Sequence, residues 1–109
     1  MTSTAESLLN DLIARFDPNA AQGLNAEIQF LFHGTDSAAY YLRIANGKCT
    51  LHQGELDFAR LTIRVDVEVW RAIQQGEIAW AEAMMQRKFT ATGNFPLLAR
   101  LPQLFRLVA

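Results

Sequence analysis

Leu8, Leu9, Leu12, Ile13 and Phe16 recur at helical spacing near the start of the chain, which marks one apolar face on a helix. Ser3-Thr4-Ala5-Glu6 ahead of them has the form of a capping box. The pattern predicts a helix from about Thr4 to Phe16, stopped by Asp17-Pro18. A polar loop through Asn25 follows. From Ala26 the period changes to two: Ile28, Phe30 and Phe32 share one face, and Glu27, Gln29 and His33 take the other. Gly34-Thr35-Asp36-Ser37 reads as a turn. Tyr40, Leu42 and Ile44 alternate with Tyr41 and Arg43. Asn46-Gly47 is a strong hairpin signal, after which Cys49 and Leu51 alternate with Lys48, Thr50 and His52.

Gly54 to Phe58 reads as a linker. Leu61, Ile63 and Val65 then define a fourth strand, and Asp66 can cap the helix that follows it. Val69, Trp70 and Ile73 form that helix's apolar stripe, and Gly76 suits the position just past its end. A short helix is expected from about Ile78 to Gln86 and a fifth strand over Lys88 to Thr92. Gly93 turns the chain, and Asn94 can cap a last helix carrying Leu97, Leu98, Leu101, Leu104, Phe105 and Val108. Pro102 inside that helix removes a backbone donor and crowds the preceding turn, so a kink or break is expected near Arg100. Strands with one apolar face, interleaved with helices, predict an α+β domain: a five-stranded, mostly antiparallel sheet covered on one face, in the order α-β-β-β-β-α-α-β-α.

The 109 residues make one domain, 1–109, large enough for a hydrophobic core of its own. Half of the residues are hydrophobic, so the chain is globular. A net charge of −1 with scattered Lys and Arg argues against nucleic acid as a partner. The single cysteine, Cys49, has no internal disulfide partner and fits a reducing compartment. The N-terminus lacks the basic-then-apolar form of a signal peptide, and no apolar run is long enough to span a membrane. A cytoplasmic location is expected.

Candidate chemistry is sparse. Cys49 and His52 lie three apart on a strand and therefore point to opposite faces, which excludes a local dyad. His33 and His52 both fall on polar strand faces, and no cysteine or carboxylate cluster completes a metal site around them. His33, Asp36 and Ser37 are triad residue types gathered in a turn, where Asp and Ser are ordinary turn chemistry. Gly93-Asn94 before a helix could hold an anion, although a tight turn and a cap explain both residues. No catalytic residue, metal or cofactor is expected. What stands out is apolar surplus. Trp80, Met84, Met85, Leu97, Leu98, Leu101, Leu104 and Phe105 come from the last two helices, and Ile28, Phe30, Phe32, Leu42, Ile63 and Phe89 from the sheet. These residues fit a packed core, as any one-sided sheet requires, and they also fit a ligand cavity. Adjacent methionines make an adaptable lining, and a last helix that is apolar around much of its circumference can cover a cavity.

Over nearly its whole length, and most specifically from Asp66 to Phe105, the chain resembles the sterol carrier protein type-two family of non-specific lipid-transfer domains. Val65-Asp66 matches the strand that ends in an acidic residue opening a helix. Gly76-Glu77 matches the step closing that helix. Met85, Arg87-Lys88, Phe89-Thr90-Ala91-Thr92 and Gly93-Asn94 match the methionine, basic pair, alternating strand and glycine turn, and Leu104-Phe105 matches the helix end. Arg87 stands where the family carries glycine. If that glycine has a positive φ, Arg87 must adopt the same conformation or the turn must differ. The resemblance implies a tunnel between sheet and helices that takes sterols, fatty acyl chains, acyl-CoA or phospholipids, with no catalysis. Its lining here would be Phe30, Phe32, Leu42, Ile63, Trp80, Met84, Met85, Phe89, Leu98, Leu101 and Phe105. The expected function is binding of a lipid or isoprenoid-like tail for carriage or presentation, with transient membrane-surface contact through the C-terminal helix. The alternative is an accessory module of an enzyme complex, for example in isoprenoid quinone biosynthesis.

Overall fold

The computed structural model describes residues 4–109. It contains α1 (Thr4–Ala14), β1 (Ala26–His33), β2 (Ala38–Ala45), β3 (Lys48–Gln53), β4 (Leu61–Asp66), α2 (Val67–Gln74), α3 (Trp80–Met85), β5 (Thr90–Gly93) and α4 (Phe95–Phe105). The strands form one mixed sheet in the order β3-β2-β1-β4-β5. Only the central β1–β4 pair is parallel; the other three pairs are antiparallel.

The alternation read from the sequence sets the register. Ile28 lies opposite Leu42 on one side and Leu61 on the other, and Phe30 opposite Tyr40 and Ile63. All six side chains are buried. On the opposite face, Glu27 lies across from Arg43, 3.6 Å from carboxylate to guanidinium. Arg43 sits over the Tyr41 ring at 5.6 Å, and Tyr41 stacks on His52 at 4.9 Å. Sheet twist and one buried face suffice to fix such a register.

β3 and β4 run parallel but lie three places apart, so residues 54–60 must cross β2 and β1. Gln29 determines where. Its side-chain oxygen accepts the Leu56 N–H at 2.6 Å, and its amide donates to Leu56 O at 3.4 Å and to the Thr62 hydroxyl at 3.2 Å. Gln29 points away from the helices, so the crossover runs over the outer face of the sheet, where it buries this one polar side chain.

The helix boundaries follow from caps. The Asp66 carboxylate accepts from Glu68 N, and the Asn94 side chain accepts from Leu97 N, as the sequence predicts. Ser3, the cap of the expected capping box, lies outside the described residues. The Ala5 N–H donates to Asp36 in the β1–β2 turn at 2.9 Å. α1 ends at Ala14 rather than Phe16, because Arg15 and Phe16 bond back only three residues, to Leu12 and Ile13, in a tightened last turn. β5 starts two residues later than expected. Lys88 N bonds Ala83 O and Arg87 N bonds Met84 O, a Schellman pair that holds these residues to the end of α3. α4 runs through Arg100 and Pro102 as one helix, not broken there. Pro102 sits in its second half, where its own carbonyl accepts from Arg106 and Leu107 and closes the helix.

Candidate functional site

Between the inner face of the sheet and the helices lies a seam of apolar side chains. The Phe30 ring meets Trp70 of α2 edge-on at 4.9 Å and stacks beside Phe32 at 5.7 Å. Trp70 meets Trp80 of α3 at 6.4 Å, and Trp80 meets Phe89 at 5.3 Å. On the other flank Phe16 packs on Phe105 at 5.8 Å. Phe30, Phe32, Leu42, Ile63, Trp80, Leu98, Leu101 and Phe105 are all buried in this one cluster, and half-buried Phe89 packs against it. Nine of the eleven residues expected to line a cavity are thereby brought together.

Met84 and Met85 lie elsewhere. Trp80 and Ala83 are the residues that α3 buries. Met85 turns away from that stripe and is 84% exposed, whereas Met84, one turn on from Trp80, lies at its flank and is 41% exposed. The structure therefore puts Met85 on the outer side of α3 and Met84 at the edge of the seam, outside the buried cluster. A six-residue helix has room for only one inward stripe.

The seam's side chains form one continuous buried cluster. A separate cleft of about 300 Å³ opens at the loop end of the sheet, lined by Pro18, Gln22, Gly23, Leu24, Asn25, Asn46 and Gly47. In the sequence these are loop and hairpin positions, Pro18 a helix stop and Asn46-Gly47 a turn, without an apolar pattern that marks a cleft.

The seam's cover is tied down unevenly. α4 is held along its length: Arg100 donates to Ala20 O at 2.8 Å, Asp17 N donates to Leu104 O at 2.8 Å, and Arg15 donates to Arg106 O at 2.6 Å. α2 is held by Gln74, whose side chain accepts from Trp70 Nε1 at 2.9 Å and donates to Leu8 O at 2.7 Å; Arg15 adds a bond to Gln74 O. For α3, the backbone tie to the C-terminal tail is Trp80 N to Val108 O at 2.7 Å.

The chemistry-bearing side chains are dispersed. Cys49 lies on the inner face and packs against the core, and burial pushes its thiol up to about 12. A thiol so shifted is no nucleophile near neutral pH. His52 lies on the outer face, where Nε2 shares a 2.8 Å hydrogen bond with the Thr50 hydroxyl. His33 is exposed at the end of β1, across from Asp66. Asp36 is occupied by the α1 N-terminus. Arg71 bridges Glu77 at 2.8 Å and Glu68 at 2.7 Å, and those carboxylates raise its pKa further. Among the described residues no three His, Cys, Asp or Glu side chains gather as metal ligands, and no helix is long and apolar enough to cross a membrane.

The fold recurs in solved structures. The sec-alkylsulfatase Pisa1 from Pseudomonas sp. matches with a TM-score of 0.74 at 20% identity, over 90% of this chain and 15% of that one. The palmitated form of sterol carrier protein 2 like 2 from Aedes aegypti matches with a TM-score of 0.76 at 20% identity, over 96% of this chain and 95% of the other. A ubiquinone synthesis protein, UbiJ-SCP2, matches with a TM-score of 0.67 at 15% identity, over 93% and 89%. The fold is thus that of the sterol carrier protein domains, as the strand and turn motifs from Asp66 to Phe105 imply, and the chain corresponds to about 15% of the alkylsulfatase's length. Comparison with curated protein sequences returned no match. The alkyl sulfatase C-terminal family profile matches residues 1–108, and the chain belongs to that family.

Proposed function

We propose that the chain binds the apolar tail of a lipid-like molecule between its sheet and its helical cover, without transforming it. The observation that carries this reading is the seam itself. Aromatic and aliphatic side chains from all four helices and the sheet meet there in one continuous layer, and one side of the layer is closed by a helix of only six residues. The palmitated Aedes aegypti domain of the same fold supports it.

In this reading uptake proceeds by α3 and the tail moving outward. The cost is the apolar contact of Trp80, Ala83 and Leu107, which an alkyl chain replaces at about 0.8 kcal/mol per buried methylene, less the cost of ordering the ligand. In this reading Phe30, Phe32, Leu42, Ile63, Trp80, Phe89, Leu98, Leu101 and Phe105 line the occupied state, and Met84 and Met85 stay at its outer rim. Titration with a fluorescent fatty acid, with native mass spectrometry of the same sample, tests it. One-to-one uptake that Leu101→Arg abolishes in a folded protein is the expected result. Failure to take up fatty acids, sterols and isoprenoids alike overturns it.

A second reading is an accessory module acting beside an enzyme. It is favoured by the family match and by the alkylsulfatase and ubiquinone synthesis protein that share the fold. A stable complex with an enzyme, recovered by affinity capture with no lipid bound, supports this reading over the first.

A further inference from the structure

We infer that the turn between α3 and β5 is a docking site for an anionic lipid surface. Residues 84–88 are all exposed, and they combine two methionines with two consecutive cations, Arg87 and Lys88. Met85 is 84% exposed, an unusual state for a large apolar side chain in a protein that buries most of its others. Among the described residues neither Arg87 nor Lys88 forms a salt bridge. A third cation, Arg64, lies on β4 opposite Thr90, two residues from Lys88, and it too is exposed and makes no salt bridge among the described residues. The acidic groups nearest in sequence are Asp66, which caps α2, and Glu82, which accepts from Gln86 at 3.3 Å, so three cations stand against two carboxylates. In a chain of net charge −1 this corner is locally positive.

Arg87 N to Met84 O at 3.2 Å and Lys88 N to Ala83 O at 3.0 Å tie the turn to the end of α3, so the exposed methionines and cations stay together on one short segment. Apolar tips flanked by unpaired cations fit the boundary between headgroups and acyl chains, where the thioether stems enter and the charges meet phosphate or carboxylate headgroups. The reverse side of the same turn carries Phe89, which packs on Trp80 in the seam. A lipid surface engaging this corner therefore touches the wall of the proposed interior site.

The test is co-sedimentation of the full chain with vesicles of phosphatidylcholine, with and without phosphatidylserine. Binding to the phosphatidylserine vesicles alone, weakened by added salt, is expected. The double variant Arg87→Gly, Lys88→Gln keeps the turn, because glycine accepts the φ of +53° that Arg87 adopts, and should bind about 25-fold more weakly at roughly a fivefold loss per charge. Met85→Ser should weaken binding as well, whereas Lys48→Gln, on the opposite edge strand, should not. Absence of binding to phosphatidylserine vesicles overturns the inference, and so does equal loss in Lys48→Gln. Capture of a partner protein that needs Arg87 and Lys88, without vesicle binding, also overturns it and assigns the corner to protein. Fatty acid titration of the same variants reads interior binding separately, so failure of one proposal is not mistaken for failure of the other.

Discussion

Arg87 and Gly76 solve the same problem with different residues. Each sits just past a helix end with a positive φ, +53° and +81°, and the residue after each bonds five positions back, Lys88 to Ala83 and Glu77 to Ala72. For Arg87 the Cβ makes that conformation costly, by about 1 kcal/mol. Arg87→Gly should therefore raise stability by about 1 kcal/mol, read as a higher urea midpoint at unchanged m-value. The motif comparison flagged this position, and the structure gives it the backbone angle that glycine favours. Gly93 is the reverse case: its φ is +113°, and a Cβ there would lie 2.3 Å from Arg60 O. Gly93→Ala should cost about 2 kcal/mol or more, because the chain must shift off β4 to make room. Cys49 gives a pH signature. Its folded thiol is held neutral up to about 12 against an ordinary value of 9.0, so the unfolded chain ionises first. The associated stability is complete below pH 9 and declines as pH rises from there towards 12. Chemical denaturation of the native chain and of Cys49→Ala at pH 8 and pH 10 should show the larger drop in the native chain.

At the scale of elements, what the sequence makes legible is local. Alternation gave each strand's buried face, and Asp66, Gly76 and Asn94 marked helix ends, since a cap needs only residues one to five positions away. Bonds between distant segments leave no such trace. Asp36 looks like turn chemistry, yet it caps α1 from 31 positions away. Gln29 alternates with Ile28 and Phe30 like any outward polar residue, yet the crossover buries it. The seam was legible as a list of apolar residues, and periodicity cannot say whether such a list packs on itself. Met85 lies outside the buried cluster for a related reason: adjacent helix positions are about 100° apart, so two neighbouring methionines cannot both face inward. Gln74 is the clearest missed element-level contact. It is buried, sits at the end of α2, satisfies Trp70 Nε1 and Leu8 O together, and joins α2 to α1. Gln74→Ala leaves both partners buried without it and should cost about 2–3 kcal/mol in denaturant unfolding. Substitution of its exposed neighbour Gln75 by Ala should stay within about 0.5 kcal/mol.

For the whole molecule the question is which part of the cover opens. The proline inside α4 suggests that helix, but its ties say otherwise. Arg100, Leu104 and Arg106 are each bonded to the α1–β1 region, and Leu97, Leu98, Leu101, Leu104 and Phe105 are all buried. α3 buries two side chains, and the backbone bond that joins it to the tail is Trp80 N to Val108 O. Local opening follows the fewest buried contacts and bonds, so α3 and residues 107–109 should swing away while α4 and its cap Arg106 stay in place. Hydrogen exchange should then be fastest in α3 and the tail, slower in α4, and slowest in β1 and β4 at the centre of the sheet. A fatty acid that occupies the seam would substitute for the displaced Trp80 contacts and hold the cover against it, slowing exchange in α3 more than in α4. Exchange that is fastest in α4, or a ligand effect centred on Pro102, would move the opening to the other helix and with it the route by which a tail reaches Phe30 and Phe89.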